Sequence, residues 1–290
     1  MTANGWTLTP DGSAFADAAL TFLGRDPVGN TVTLGLAAGL RTSPREPVAQ
    51  DCYGWWRDED GRIGGAFTAQ YPYALTLSAE LPERAAAALA PAWQADGRTR
   101  PRGVFGGVQA AEAIAAHFAR LFGGSYRARA NHEMRLFTFA EPTAPDPAPL
   151  GEARPAVLTD VPLLCAWELE FLRECGIADG PRDPELFVRA RVRDGRQMLW
   201  TYQDEPVACA NFTGVAAGSA RITGVYTPPE HRRHGYAAGV TWATTYAALD
   251  RGAAHVVLHT DLANPTSNAV YRRLGYRPVR DVTEFEFIDG

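Results

Sequence analysis

The sequence contains no lysine, and all 28 of its basic side chains are arginine. Schiff-base chemistry and the Walker motif both require the lysine amine, which excludes a pyridoxal-dependent enzyme and a P-loop nucleotidase. Cysteine is nearly as scarce. Cys52, Cys165, Cys175 and Cys209 form no CxxC pair and are too few for a disulfide framework, so each is expected to pack as a small apolar group. The six histidines show no HExxH or similar spacing, and no metal is expected. No apolar run approaches the roughly 20 residues of a membrane span. The opening residues, MTANGWTLTPDG, lack the basic segment and apolar core of a signal peptide, so a cytoplasmic location is the expectation. The net charge of −5 argues against a nucleic-acid partner, because a phosphate backbone demands a basic surface, and it suits a cationic amine substrate. Heavy use of Ala, Arg and Pro points to a GC-rich bacterial genome. With 290 residues, 46% hydrophobic and 21% charged, the composition is that of a globular protein with room for two domains.

The clearest seam is EPTAPDPAPLGEAR, residues 141–154, where four prolines interrupt any apolar periodicity and an extended linker is expected. It divides the chain into residues 1–140 and 155–290. The second half alternates between element types. Leu158–Cys175 and Pro184–Val192 read as helices, followed by strands Gln197–Tyr202, Pro206–Thr213 and Ala220–Tyr226, the first two joined by a tight turn at Gln203–Glu205. A helix over Gly235–Asp250, a strand over His255–Thr260, a helix over Pro265–Leu274 and strand material over Arg277–Phe287 complete it. The first half has the same order. Helices at Ala14–Leu23 and Asn30–Leu40 precede strands at Tyr53–Arg57, Arg62–Gln70 and Tyr73–Ala79, with an Asp60-Gly61 turn between the first two. Then follow a helix at Leu81–Ala95, a short strand at Gly103–Phe105, a helix at Val108–Leu121 and strands within Tyr126–Phe139. YGWWRDEDGRIGGAF and MLWTYQDEPVACANF match in type, which points to an internal duplication; two unrelated hairpins are the alternative. The fold class is α/β with a mixed sheet.

The chemistry concentrates in ITGVYTPPEHRRHGYAA, residues 222–238. A strand ends at Pro228-Pro229, neither of which can donate to a ladder, and a loop carries Arg232, Arg233 and His234 into Gly235 at the mouth of a helix. Strand, loop and helix of this kind aim free N–H groups and the positive helix end at one point, which binds phosphate. Gly235 and Ala237 let an anion approach the backbone, and the arginines add charge, making a diphosphate cradle without lysine. Taken by itself, the stretch is equally consistent with an ordinary helix start carrying solvated arginines.

These residues resemble the GCN5-related N-acetyltransferase (GNAT) family over about residues 154–288. Arg232-x-x-Gly235-x-Ala237 matches the family's (Gln/Arg)-x-x-Gly-x-(Gly/Ala) signature after its fourth strand. Asn264, Tyr271, Gly275 and Tyr276, in ANPTSNAVYRRLGYRPV, match its second signature. The resemblance implies the GNAT fold and acetyl-CoA as cosubstrate, without a metal. It implies that backbone groups of Val225, Tyr226 and Thr227 pair with the pantetheine arm and position the acetyl carbonyl. Arg232 and the backbone from Arg233 through His234, Gly235, Tyr236, Ala237 and Ala238 would hold the diphosphate, and Asn264 and Asn268 would contact the cofactor arm. Tyr271 would lie near the thioester sulfur and protonate the departing thiolate as general acid, while a backbone N–H of the fourth strand stabilises charge on the carbonyl oxygen. Outside its motif, Tyr271 would read as a core aromatic. Glu168 and Glu170 are the candidate bases for the incoming amine, although most such carboxylates are merely solvated, and Tyr226 could order a water instead. His234 stands where arginine or glycine is frequent, and an imidazole there would couple binding to pH.

The first half has no such cradle: SAELPERAAAALAPAW begins its helix at Leu81-Pro82-Glu83 with neither glycine nor basic cluster. It resembles a degenerate GNAT domain, so two GNAT-like domains in tandem are expected, with cofactor only in the second. Trp55, Trp56, Tyr71 and Tyr73 are candidates to line an acceptor pocket, or simply core aromatics. The expected activity is transfer of an acetyl group to a primary amine of a small molecule. The alternatives are another acyl donor, a longer acyl-CoA or an aminoacyl-tRNA, and a non-catalytic CoA sensor. The sequence leaves the acceptor and the choice between monomer and homodimer open.

Overall fold

A computed structural model describes residues 5–42, 48–123, 126–177 and 183–289. The first half runs β1 (Gly5–Thr9), α1 (Gly12–Leu23), α2 (Thr31–Thr42), β2 (Cys52–Arg57), β3 (Ile63–Ala69), β4 (Leu75–Leu77), α3 (Glu83–Ala95), β5 (Gly103–Gly107), α4 (Val108–Phe122) and β6 (Tyr126–Phe139). The second half repeats that order as β7 (Glu152–Pro155), α5 (Val161–Glu174), α6 (Pro184–Arg193), β8 (Gln197–Tyr202), β9 (Glu205–Phe212), β10 (Ser219–Tyr226), α7 (Tyr236–Asp250), β11 (His255–Asp261), α8 (Pro265–Arg273) and β12 (Tyr276–Asp289). Single 3-10 turns precede α5 at Leu158–Asp160 and α7 at Pro229–His231. The expected elements are present within a few residues at their ends. Two short strands escaped the sequence reading, β1 and β7, each five residues or fewer and without a full period of alternation.

Local chemistry explains the hairpins and caps. Between β2 and β3, Asp58 Oδ1 accepts from the N–H groups of Asp60 and Arg62, and Gly61 takes a positive φ of 77°. Between β8 and β9, Gln203 and Asp204 both have positive φ, 52° and 64°, which is the primed two-residue turn whose twist suits a hairpin. Asp11 caps α1 and Asp183 caps α6 through side-chain oxygens.

The chain packs into two compact units. The first holds the residues through Leu136, together with Asp261–Ala263 and Val279 onward. Its sheet order is β1-β2-β3-β4-β5-β12, with β12 antiparallel to β5 from Val282 opposite Gly107 to Glu286 opposite Gly103. Phe67, Leu89, Trp93, Ile114, Phe118 and Phe287 are buried in its core. The second unit holds Phe137–Thr260 and Asn264–Pro278. Its strands run β7-β8-β9-β10-β11, and its cores gather Phe137, Phe212, Leu258, Tyr271 and Tyr276 on one side and Leu164, Trp167, Val188 and Leu199 on the other. The sequence seam therefore differs from the packing: Phe137–Ala140 pack with the second unit, and the chain from Val279 packs with the first.

The proline-rich segment is tied to the second unit rather than loose. Ala140 N and Glu141 N both donate to Gly275 O at 3.2 Å, Arg277 pairs with Glu141 at 2.5 Å, and Trp200 Nε1 donates to Leu150 O at 2.9 Å. Glu152–Pro155 then forms edge strand β7 on β8, where Pro155 removes no needed donor. Prolines dictate an extended chain, and an extended chain serves equally as linker, strap or edge strand.

Candidate active site

β10 parts from its neighbour β11 after Ile222. It pairs in parallel with β11 only from Ser219 opposite His255 to Ile222 opposite Leu258. On its other side the register with β9 shifts between Thr223 and Tyr226, and Gly224 takes a φ of 57°. This bulge bends the strand, so among the described residues the backbone from Thr223 to Thr227 has no ladder to β11. Val225 is half-buried and touches the cluster that contains Tyr271. Tyr226 is buried beside Trp167, ring centroids 6.2 Å apart. Burial, and then the carboxylates of Glu174 and Glu170, raise the Tyr226 phenol, with Arg232 opposing them. Thr227 Oγ1 is buried without a hydrogen-bond partner.

The loop after β10 has two left-handed residues, Arg233 at φ 69° and Gly235 at φ 80°. A non-glycine residue in that region is uncommon, and two such kinks in three residues turn successive N–H groups toward one side. Gly235 caps α7, its carbonyl accepting from Ala238 N at 2.9 Å and Gly239 N at 3.1 Å. The N–H groups of Arg233, His234, Gly235, Tyr236 and Ala237 have no backbone partner among the described residues. A helix start with free donors, a positive dipole end and a glycine cap has what a diphosphate requires. Pro149 sits against this turn, since a Cβ built on Gly235 would come within 3.4 Å of Pro149 Cβ.

The basic residues of the motif divide into different tasks. Arg232 does not point freely at an anion. Its Nη2 reaches both carboxylate oxygens of Glu174 at 2.7 and 2.8 Å, and its Nε donates to Thr227 O at 3.0 Å. It fastens the loop to the end of α5 and to the end of β10. Arg233 is exposed and makes no ion pair among the described residues, which leaves it as the available cation of the cradle. His234 is exposed and stacks on the buried Tyr236, centroids 5.4 Å apart and planes at 16°. Ala237 and Ala238 follow in the first turn of α7, half-buried.

Tyr271 lies on the inner face of α8, buried and edge-on to Tyr276 at 6.0 Å. Burial, with a smaller contribution from nearby Cys175, pushes its phenol up to about 12. Asn264 and Asn268 lie at the start of α8. Asn264 Oδ1 accepts from Ser267 N at 3.0 Å as a helix cap, and Asn268 Nδ2 donates to Asn264 O at 2.7 Å. Gly275 follows at φ 93°, where any Cβ would fall 1.6 Å from Glu141 O, so only glycine fits.

Of the two candidate bases, Glu170 pairs with Arg173 on the exposed face of α5. Glu168 is largely buried, pairs with Arg191 at 2.8 Å, and has its Oε2 3.9 Å from a Cβ built on Gly224, beside the bulge of β10. Glu174, the partner of Arg232, was missed in the sequence reading, although it stands one helical turn beyond Glu170 on the same helix.

The matching place in the first unit is closed. Leu77 O at the end of β4 accepts from Thr33 Oγ1 at 3.1 Å, and Ala79 N donates to Asn30 Oδ1 at 2.7 Å. Helix α3 then starts after Pro82 with no side-chain cap and with Glu83, an anion, in its first turn. Of the four aromatics singled out there, Trp56 is buried beneath Arg84, Trp55 is half-buried, and Tyr71 and Tyr73 are exposed.

Residues 163–276 match the model of the acetyltransferase (GNAT) family. No curated protein matches the chain in sequence. The whole structure is similar to that of a GCN5-related N-acetyltransferase from Sphaerobacter thermophilus, at 16% identity and a TM-score of 0.62, covering 100% of this chain and 97% of that one. It is similar to an acetyltransferase of the GNAT family from Colwellia psychrerythraea, at 10% identity and a TM-score of 0.56 over 86% and 89% of the two chains. It is also similar to a tandem GNAT protein from the clavulanic acid biosynthesis pathway, at 12% identity and a TM-score of 0.55 over 98% of each. At these identities the structural likeness speaks for the fold. The chain thus has the mixed α/β fold of the GNAT structures, and residues 163–276 in its second half match the acetyltransferase (GNAT) family model.

Proposed function

We propose that the second half transfers an acetyl group from acetyl-CoA to a primary amine of a small molecule. The observation that carries this reading is the row of unpartnered N–H groups from Arg233 to Ala237 beside the freed end of β10. These donors and the Arg233 guanidinium would bind the diphosphate. The backbone of Val225, Tyr226 and Thr227 would pair with the pantetheine amides, and Thr227 Oγ1 offers a further hydrogen bond. When bound, acetyl-CoA supplies the activated acyl group.

The chain's own residues then hold and move protons. An N–H of β10 would stabilise charge growing on the carbonyl oxygen. Tyr271, held near 12, keeps its proton at neutral pH and would give it to the departing sulfur, whose own basicity rises in the same dry surroundings. Glu168, beside the bulge, is the better placed of the two carboxylates to accept a proton from the amine through water; Glu170 remains in solvent with Arg173. The closed end of β4 and the anionic start of α3 support a first half that keeps the fold without a cofactor.

Thiol release from acetyl-CoA against a panel of amines, combined with calorimetry, tests the reading. One acetyl-CoA per chain and amine-dependent turnover are expected. Tyr271→Phe should lower kcat by about a hundredfold or more with little change in acetyl-CoA affinity. Absence of acetyl-CoA binding would overturn the assignment, two molecules per chain would overturn the closed first half, and binding without turnover on any amine would favour a sensor.

A further inference from the structure

The first unit contains a cavity of about 620 Å³ that the transferase reading does not use. It lies at the end of the sheet where β3 finishes and where β4 and β5 begin, lined by the segments Tyr71–Tyr73 and Asp96–Arg102. The start of α3, where a cofactor of the GNAT type would sit, follows the opposite end of β4. The volume is within the roughly 300–1,000 Å³ of small-molecule sites.

Its wall carries arginines and aromatic rings, together with two carboxylates, Asp96 and Glu286, which pair with Arg98 and Arg129. Arg98, Arg100 and Arg102 alternate along the extended approach to β5, and period-two spacing sends all three to one side. Arg98 is engaged by Asp96 at 2.6 Å and by Asp51 O at 3.0 Å, and Arg100 by Asp289. Arg102 differs. It is exposed, lies 5.5 Å over the Tyr71 ring, and makes no ion pair among the described residues. A cation–π contact of this kind holds the guanidinium near the ring without using its N–H donors, which can still meet a carboxylate. Tyr71 and Tyr73 remain 40% and 38% exposed, and the apolar floor includes Ala69 and Phe287.

We propose that this cavity binds a small aromatic carboxylate, its ring against Tyr73 and the apolar floor and its carboxylate on the edge of Arg102. The three features answer one ligand class: an arginine without an ion pair among the described residues for an anion, partly exposed aromatic and apolar surface for a flat body, and a volume for one small molecule.

Benzoate serves as the probe, titrated calorimetrically into the full chain and compared with benzamide, cyclohexanecarboxylate and inorganic phosphate. Benzoate should bind once per chain, with cyclohexanecarboxylate weaker and benzamide weaker still. Arg102→Gln should weaken benzoate about tenfold or more, the size of a lost charge-assisted pair. Arg84→Gln, another exposed arginine stacked on an aromatic ring, should leave it unchanged. Tyr73→Leu should weaken benzoate but not phosphate. Saturation with acetyl-CoA should not displace benzoate. Absence of benzoate binding, indifference to Arg102→Gln, phosphate binding as tightly as benzoate, or displacement by acetyl-CoA would each overturn the proposal.

Discussion

At the scale of single residues, burial sets the proton behaviour of the side chains around the second unit's sheet. Tyr271 is pushed to about 12 and stays a donor. His259 on β11 is moved the other way, to about 3, by burial and by the charge of Arg221. The folded chain therefore refuses a proton between pH 6.5 and about 3 that the unfolded chain accepts. Stability is full above pH 6.5 and falls as pH drops through that window. Each pH unit of it corresponds to about 1.4 kcal/mol. Because His259 keeps part of its surface open, a loss on the order of 2 kcal/mol by pH 4 is the expectation. Urea midpoints measured from pH 7 to pH 4 should show that slope in the wild type and a shallower one in His259→Gln. Equal slopes would remove the argument.

At the scale of elements, the cradle depends on what fastens its loop. The sequence motif suggested that Arg232 contacts the diphosphate, but its side chain joins α5 to the end of β10 through Glu174 and Thr227 O. These opposed tasks predict opposite outcomes for Glu174→Gln. If Arg232 positions the loop, loss of the carboxylate loosens it and acetyl-CoA affinity falls about threefold to fivefold, the effect of a half-exposed pair. If Arg232 is a direct anion ligand held back by Glu174, affinity rises. Calorimetric titration of acetyl-CoA into the variant decides, and we expect the fall. The glycine-led start of α7 was legible because its motif is local, a glycine and flanking residues in consecutive order. Glu174 was not, because a carboxylate on an exposed helix face looks the same whether it meets solvent or a loop 58 residues away.

At the scale of the whole molecule, each unit is discontinuous in sequence. The first needs the chain from Val279, which supplies the antiparallel partner of β5, and the second needs Phe137 and Phe139, which join its aromatic cluster with Trp242, Tyr246 and Tyr276. A fragment ending at residue 140 would expose the edge of β5, and a fragment beginning at 141 would lose two core phenylalanines. Expressed separately, fragments 1–140 and 141–290 should be poorly soluble or unfold without cooperativity; expressed together, they should recover a cooperative transition. A soluble fragment 141–290 with full acetyl transfer would show that the exchange is dispensable. The proline-rich stretch suggested instead an extended linker dividing the chain into residues 1–140 and 155–290.

The sequence by itself determined most of the elements, their order in each half, the hairpin turns and the glycine-led start of α7, because propensity, period and turn chemistry act over a few residues. It also determined that the Arg-x-x-Gly-x-Ala motif stands in one half only, since that difference is a matter of residue identity at a helix start. Only the tertiary structure decided which strand closes which sheet, that the prolines strap the second unit, and that Arg232 faces a carboxylate. Those outcomes depend on partners distant in the chain, and an extended or amphipathic segment carries the same local signal whichever partner it meets.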